Sequence, residues 1–184
     1  ADGNKVLRLM AGASLSMSYY PFERECARSG KTLEIDYRVD NVTDYSRPVL
    51  TISTPSGESF TGLNIYADEI IMHSQSLRED SVQSLHTFEG KRTRLTLTIL
   101  PTAYGNPEFN LCILYINGVK NREFMYEDND YFAQKGGIVI GSDYADVDIY
   151  GIREYDSGLT SQGVLTNYIN WLSDTAEKAR VRLY

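Results

Sequence analysis

The chain is poor in the residues that form covalent cross-links and metal centres. Its 184 residues include two cysteines and two histidines. Cys112 falls in an apolar segment and predicts a buried thiol, whereas Cys26 falls in a polar loop. Two cysteines with no CxxC pair or Cys/His cluster indicate neither a disulfide framework nor a zinc site. We therefore expect both thiols to be reduced, and a Cys26–Cys112 disulfide is the alternative that the sequence leaves open.

Positive charge and long apolar runs are also scarce. Lys and Arg total 18 against 25 Asp and Glu, which gives a formal net charge of −7. The basic residues are scattered, and nucleic-acid binding requires a basic footprint, so we expect no nucleic-acid partner. No apolar run approaches the roughly 20 residues of a membrane helix, so we expect no membrane insertion. Because the chain begins at Ala1 without a visible signal peptide, we expect a processed product or an excised domain.

Apolar and polar residues alternate through most of the chain, which is the period of half-buried strands. In the clearest segment, four apolar residues (Leu33, Ile35, Tyr37, Val39) oppose four charged ones (Glu34, Asp36, Arg38, Asp40). Asn117-Gly118 predicts a hairpin, Gly151 predicts a bulge and Ser76–Ser84 predicts a loop. About a dozen strands predict an all-β, antiparallel two-sheet sandwich. The predicted strands are Lys5–Met10, Ala13–Tyr19, Lys31–Asp40, Val49–Ser53, Leu63–Ala67, Glu69–Ser74, Lys91–Leu100, Phe109–Ile116, Val119–Tyr126, Ile138–Ile140 and Val147–Tyr155.

Helical periodicity follows the last strand. Thr160 can cap a helix whose apolar residues recur at helical spacing and so form one apolar face. We expect this face, which includes Leu165 and Ile169, to be buried. Gly163 stands where a capping box has Glu, so the helix start should fray. The charged segment Ser173–Tyr184 predicts a further short helix. We expect one domain over residues 1–172, with residues 173–184 as a C-terminal extension or the start of a linker. The apolar residues of the helix predicted after Thr160 are Val164, Leu165, Tyr168, Ile169 and Leu172.

The last third of the chain resembles laminin-G-like, concanavalin A-like lectin domains. The matching residues are Leu114–Gly118, Ile140-Gly141, Ile149, Ile152, Arg153, Tyr155, Asp156, Leu159 and Asn167-Tyr168-Ile169. The resemblance implies a jelly-roll β-sandwich with a short C-terminal helix. The overall pattern is also similar to domains of this kind in phage structural proteins and gut-bacterial surface proteins. That likeness implies an extracellular, cell-surface or virion location.

A non-catalytic carbohydrate-binding or adhesion module is the function that this resemblance favours. Sugar sites combine aromatic faces with a few polar side chains that fix orientation. Loop aromatics have less packing reason to be where they are, so the segment around residues 126–131 is the best candidate. The predicted ligand-binding residues, for a glycan or polysaccharide, are Tyr104, Tyr126, Asn129 and Tyr131. Sheet packing of the tyrosines is the alternative that stays open.

Calcium is the one cofactor that the sequence leaves open. Asp128 and Asp130 supply hard oxygen ligands close together, and three further aspartates (Asp143, Asp146, Asp148) form a second acidic cluster. Neither segment fits the EF-hand pattern, and acidic runs are commonly solvated loops. A calcium site and a solvated loop therefore remain alternatives in both places.

Two other functions remain open. One is a structural or assembly module that binds other protein domains and no small ligand. The other is a glycoside hydrolase, because laminarinase-like enzymes share this fold and carry E-x-D-x-x-E or E-x-D-x-E on one strand. Glu34 and Asp36 begin that pattern, but Arg38 and Val39 stand at the two positions of the third acid. Since a retaining mechanism needs two carboxylates, we expect a solvated strand face here and no enzymatic activity.

Overall fold

A computed structural model describes residues 6–18, 30–53, 62–73, 81–84, 89–101, 109–127 and 137–180. These residues form twelve strands and one helix. The strands are β1 (Leu7–Leu9), β2 (Leu15–Met17), β3 (Lys31–Asp40), β4 (Leu50–Ser53), β5 (Gly62–Ile65), β6 (Glu69–His73), β7 (Ser81–Ser84), β8 (Thr93–Leu100), β9 (Phe109–Ile116), β10 (Val119–Glu127), β11 (Gly137–Ile140) and β12 (Asp146–Tyr155). The helix is α1 (Ser161–Arg180).

The strands form two antiparallel six-stranded sheets. The helix-side sheet has the order β1-β12-β3-β8-β9-β10, and the opposite sheet has the order β2-β11-β4-β5-β6-β7. The predicted all-β jelly-roll sandwich is confirmed. The predicted loop at Ser76–Ser84 is wrong in part, because β7 pairs with β6 there. An edge strand pairs on one side only and tolerates a polar sequence, so no alternation marked it.

The main core lies between the two sheets. Leu33, Ile35 and Val39 of β3 are at most 1% exposed and pack with residues of the opposite sheet such as Ile52 and Ile65. Alternation along the strands places these side chains on the inner face. Cys112 joins this core as a free thiol, as predicted, and burial raises its pKa. Cys26 lies outside the described residues, so the reduced state of both thiols stays a prediction.

The outer face of the helix-side sheet is buried as well. Glu34 is 1% exposed and Asp36 is 3% exposed, so the predicted solvated face of β3 is wrong at these two positions. The strand has the burial pattern of a central strand covered on both sides. The covering comes from neighbouring arginine and tyrosine side chains and from α1, which lies across this face.

Helix α1 docks on this outer face as predicted, but through only part of the predicted apolar face. Val164 is 1% exposed and packs with Ile113 and Tyr115, whereas the aliphatic residues Leu165, Ile169 and Leu172 are 37%, 50% and 44% exposed. The prediction that Leu165 and Ile169 are buried is therefore wrong. The sheet is apolar beneath Val164, but further along the helix it presents the polar side chains of Glu34, Arg94 and Arg153, so aliphatic side chains gain little by facing it there.

The start of α1 is fixed by hydrogen bonds. The Gly163 amide donates to Thr160 Oγ1 at 3.2 Å, which confirms Thr160 as the cap, and the Ser161 and Tyr115 hydroxyls lie 2.9 Å apart. The helix continues without a break to Arg180. The charged segment after residue 172 is therefore helical as predicted up to that residue, but it belongs to α1 and is not a further helix. No helix within the described ranges is long and apolar enough to cross a membrane.

Candidate functional site

A polar pocket lies where α1 crosses the outer face of the helix-side sheet. We call it the helix pocket, and its volume is about 190 Å³. The sheet contributes four of its lining residues and α1 contributes three. The lining residues are Glu34, Arg94, Arg153, Tyr155, Asn167, Asn170 and Trp171. Pockets for drug-sized ligands measure roughly 300–1,000 Å³, so this smaller pocket suits a small polar ligand such as one sugar residue.

A β-bulge in β12 brings two side chains into the pocket. The register with β3 shifts between Ile149 and Gly151, which confirms the bulge predicted at this glycine. One extra residue reverses which face the following side chains occupy. Beyond it, Arg153 pairs directly with Glu34 across the strands, and Tyr155 lies on the same face. Without the bulge, both side chains would point into the core.

Glu34 lies at the centre of the pocket's hydrogen bonding. Its carboxylate accepts a hydrogen bond from the Tyr155 hydroxyl at 3.1 Å and one from Asn167 Nδ2 at 3.4 Å. Arg153 Nη1 lies 3.8 Å from the same carboxylate, and half of the Arg153 side chain is exposed. Burial, and then the nearby Glu34 charge, raise the pKa of Tyr155, so this phenol stays protonated as a donor.

Both carboxylate oxygens of Asp36 accept hydrogen bonds from a neighbouring arginine. Arg92 donates to both Asp36 oxygens, at 2.9 and 2.6 Å, in a bidentate pair. Arg94 of β8, two residues after Arg92, lies 3.7 Å from Asp36 and is only 2% exposed. Its Nη1 donates to the Asn167 carbonyl at 3.3 Å. Within the described part of the chain, Nε and Nη2 of Arg94 have no hydrogen-bond acceptor.

The aromatic wall of the pocket comes from Trp171, the one tryptophan of the chain. The Arg94 and Arg92 guanidinium carbons lie 4.5 and 4.6 Å from the centre of its ring, within cation–π range. Its ring centre lies 5.5 Å from that of Tyr168. These contacts tie the indole to the sheet, so the docked helix and the pocket form one unit.

Chemically, the helix pocket is a set of directional hydrogen-bonding groups beside an aromatic surface. Asn167 and Asn170 offer amide donors and acceptors, Glu34 offers an acceptor, and Tyr155 and Arg153 offer donors. Such a set can hold a ligand with several hydroxyl groups. Asp36 cannot act as a free carboxylate, because Arg92 occupies both of its oxygens. Glu34 is thus the one carboxylate that lines this pocket.

Of the residues predicted from the sequence as ligand-binding, the structure describes only the backbone of Tyr126. Tyr126 lies in β10 opposite Asn110, on a different part of the sheet, and its side chain is not among those described. The other predicted ligand residues (Tyr104, Asn129, Tyr131) and the predicted calcium ligands (Asp128, Asp130) lie outside the described residues. All of these assignments stay predictions.

The second acidic cluster has other partners. Asp148 accepts hydrogen bonds from Arg8 at 2.6 and 2.8 Å and one from Arg38 at 3.1 Å. Asp146 accepts from Ala11 N at 2.9 Å and from Asn41 Nδ2 at 2.8 Å. Across the described ranges no group of three or more His, Cys, Asp or Glu side chains could hold a metal ion. The carboxylates of Asp146 and Asp148 are thus engaged by other donors, and the calcium alternative for this cluster stays a prediction.

The sequence did contain a signal for the helix pocket. Asn167, Asn170 and Trp171 have the i, i+3, i+4 spacing of one helix face, and they follow a strand that ends in Arg153 and Tyr155. Two amides and an indole on one helix face would pack poorly on an apolar surface, so this spacing indicates a polar surface beneath the helix. The aliphatic residues of the same helix gave a stronger periodic signal, and that signal belongs to the exposed side.

The sequence matches no protein-family model and no curated protein. Solved structures similar in fold include the binding domain of botulinum neurotoxin DC in complex with SialylT (TM-score 0.60, 12% identity, 90% of this chain and 42% of that one). The botulinum neurotoxin type G receptor-binding domain has a TM-score of 0.55 at 12% identity over 92% and 47% of the two chains. The botulinum neurotoxin serotype D ligand-binding domain in complex with N-acetylneuraminic acid has a TM-score of 0.57 at 14% identity over 91% and 42%. The chain thus spans less than half the length of these domains, and the likeness shows a shared fold.

Proposed function

We propose that this chain is a non-catalytic carbohydrate-binding module and that its glycan occupies the helix pocket. The observation that carries the proposal is the pocket itself, which places an indole, a tyrosine and two amides around a buried carboxylate. Sugar sites need an aromatic surface and a few polar groups that fix orientation, and these side chains supply both. The docked helix holds them in place before any ligand arrives, so little ordering is needed on binding.

The neighbours of similar fold support this proposal. Two are described as complexes, one with SialylT and one with N-acetylneuraminic acid, and a third is a receptor-binding domain. Recognition of a glycan also fits an extracellular or surface-exposed location, which we include in the proposal. Attachment within a phage or bacterial surface protein stays the prediction made from the sequence.

A glycan array with matched helix variants tests the site. Asn170 lines the pocket and is exposed, so Asn170→Phe should fill the mouth of the pocket without disturbing the core. Gln162 is exposed on the same helix and does not line the pocket, which makes Gln162→Phe the matched control. We expect the parent and the control to give the same array signal and Asn170→Phe to lose it. Circular dichroism melts of all three proteins confirm that the fold is retained.

The predicted loop site is tested on the same array. Tyr131→Ala should leave binding unchanged if the helix pocket holds the glycan. A signal lost in Tyr131→Ala and kept in Asn170→Phe would instead locate the site around residues 126–131. Repeating the array with calcium and with a chelator tests Asp128 and Asp130 as ligands, because a loop calcium site would make binding depend on the ion.

A structural or assembly module is the second candidate function. The observation in its favour is the exposed aliphatic stripe of α1, where Leu165, Ile169 and Leu172 recur at i, i+4 and i+7. A blank array for the parent protein, with and without calcium, would favour this candidate. Concentration-dependent association that is lost in a Leu165→Gln, Ile169→Gln double variant would then support it.

A further inference from the structure

Among the side chains that the structure describes around the helix pocket, positive and negative charges do not cancel. Two carboxylates, Glu34 and Asp36, interact with three guanidinium groups, those of Arg92, Arg94 and Arg153. Asp36 is held in a bidentate pair by Arg92, and Glu34 has its nearest contacts with neutral donors. This group of five side chains therefore carries one surplus positive charge. A surplus charge in a buried site is costly unless a counter-charge approaches it.

Arg94 is the cation with the weakest compensation. It is 2% exposed, its one hydrogen bond goes to a backbone carbonyl, and Nε and Nη2 have no acceptor in the described part of the chain. A guanidinium has five N–H donors, and burial leaves these two nitrogens without water. Burial accordingly lowers the pKa of Arg94 despite the nearby carboxylates. Arg94 thus gives the pocket a fixed positive potential, which acts over several ångströms in a medium of low dielectric constant.

Arg153 is the cation that a ligand can contact directly. Its side chain is 49% exposed, and its 3.8 Å approach to Glu34 is longer than a hydrogen bond. It therefore stands at the solvent side of the pocket with donors available for a second acceptor. A planar guanidinium binds a carboxylate through two parallel hydrogen bonds, which a hydroxyl group cannot match.

We infer that the helix pocket selects an acidic sugar, whose carboxylate pairs with Arg153 under the positive potential of Arg94. This inference rests on the proposed function and specifies its ligand class. The sugar's hydroxyl groups would be bound by Glu34 and by the amides of Asn167 and Asn170, and the Trp171 surface would lie against its ring. Both uronic and sialic acids carry the required group, and the test below separates them.

The single tryptophan makes the test direct. Trp171 lines the pocket, so its fluorescence and its indole N–H resonance report occupancy of this site with no contribution from a second indole. The intact 184-residue chain is titrated with glucuronic acid, N-acetylneuraminic acid and the methyl ester of each. We expect a millimolar response to at least one acid and a response about 10- to 100-fold weaker to its ester, since the ester lacks the charge. The acid that responds more strongly identifies the source of the carboxylate.

Arg153 variants assign the contact. Replacement of buried Arg94 threatens the fold, so the exposed arginine is the better target. Arg153→Gln should weaken binding of the acid about tenfold and change binding of the ester less than about twofold. Arg153→Lys should restore part of the loss. Arg47 is also exposed and lies outside the pocket, so Arg47→Gln is the matched control and should bind both ligands as the parent does. Added salt should weaken binding of the acid more than binding of the ester.

The inference and the proposed function fail in different ways. Equal affinities for an acid and its ester would overturn selection of acidic sugars and leave a neutral glycan in the pocket. An Arg153→Gln protein that binds the acid normally would overturn the Arg153 contact, and with it this inference. A glycan that binds on the array without changing the Trp171 signal would overturn the location, and with it this inference.

Discussion

Two glycines of the helix-side sheet and its hairpin differ in whether the fold leaves space for a Cβ atom. Gly118 has φ of +78°, and a Cβ there would lie 2.8 Å from the Tyr168 ring of α1. Gly151, at the bulge, has no positive φ, and a Cβ there would meet nothing within 4 Å. We expect Gly118→Ala to lower the free energy of unfolding by about 1–3 kcal/mol and Gly151→Ala to change it by less than about 0.5 kcal/mol. Urea unfolding of both variants measures this difference, and equal effects would contradict it.

Asp148 links folding stability to pH. Arg8, and then Arg38, lower the pKa of this carboxyl in the folded protein. Its contribution should therefore be complete above the unfolded pKa of about 3.9 and disappear as pH falls through the lower folded value. At pH 7 we expect Asp148→Asn to cost about 1–3 kcal/mol of unfolding free energy, because charge-assisted hydrogen bonds are lost. The parent and variant should converge as urea melts are moved from pH 7 towards pH 2.5.

A constant difference at all these pH values would show that Asp148 does not titrate with folding. Asp146 also has a lowered pKa, through its bonds to Asn41 and Ala11, but it is present in both proteins and cancels in the comparison. Asp148→Asn keeps the size of the side chain, so a pH-dependent loss reports charge and not packing.

At the scale of single elements, α1 shows the limit of periodicity as a guide. Periodicity identified the helix, its cap at Thr160 and the burial of Val164. It was wrong in placing Leu165, Ile169 and Leu172 on the docked face, because these residues are strongly apolar yet exposed. The side of α1 that faces the sheet carries Val164 and Tyr168, which were predicted, together with Asn167 and Trp171, which were not. Which face docks depends on what the sheet presents, and that sheet face is polar only because Glu34, Arg94 and Arg153 meet there across three strands.

The observed docking of α1 predicts that Val164 contributes more to stability than its neighbour Leu165. Val164 is 1% exposed and Leu165 is 37% exposed. Val164→Ala should lower the free energy of unfolding by about 1–2 kcal/mol, since two buried methyl groups are removed. Leu165→Ala removes more carbon but should cost less than about 0.5 kcal/mol, because much of that side chain already contacts water. Thermal melts of the two variants check the order, and a larger effect for Leu165→Ala would show that the helix docks differently.

At the scale of the whole molecule, the fold was more predictable than the site. Local alternation defines the strand Lys31–Asp40 to the residue, and an apolar run on both faces does the same for Phe109–Ile116. Asn117-Gly118 forms the predicted hairpin, with φ values of 51° and 78°. The helix pocket, in contrast, depends on contacts between residues more than 100 positions apart, such as Tyr155 with Glu34 and Asn167 with Glu34. A loop of tyrosines and aspartates is visible in the sequence, whereas a pocket built from three strands and a helix is not.

Catalysis by this domain would depend on which carboxylates are available in the helix pocket. Two-carboxylate glycoside hydrolysis needs one acid as a proton donor and a second as nucleophile or base. Glu34 lines the pocket, but Arg38 and Val39 stand where the third acid of the hydrolase pattern would be, and Asp36 is bound through both oxygens by Arg92. We therefore expect no release of reducing sugar from β-glucans or related polysaccharides. Glu34→Gln should instead alter ligand binding and stability, because it removes the charge facing Arg153. Reducing-sugar release by the parent that is lost in Glu34→Gln would show that Glu34 is catalytic and would overturn the binding-module proposal.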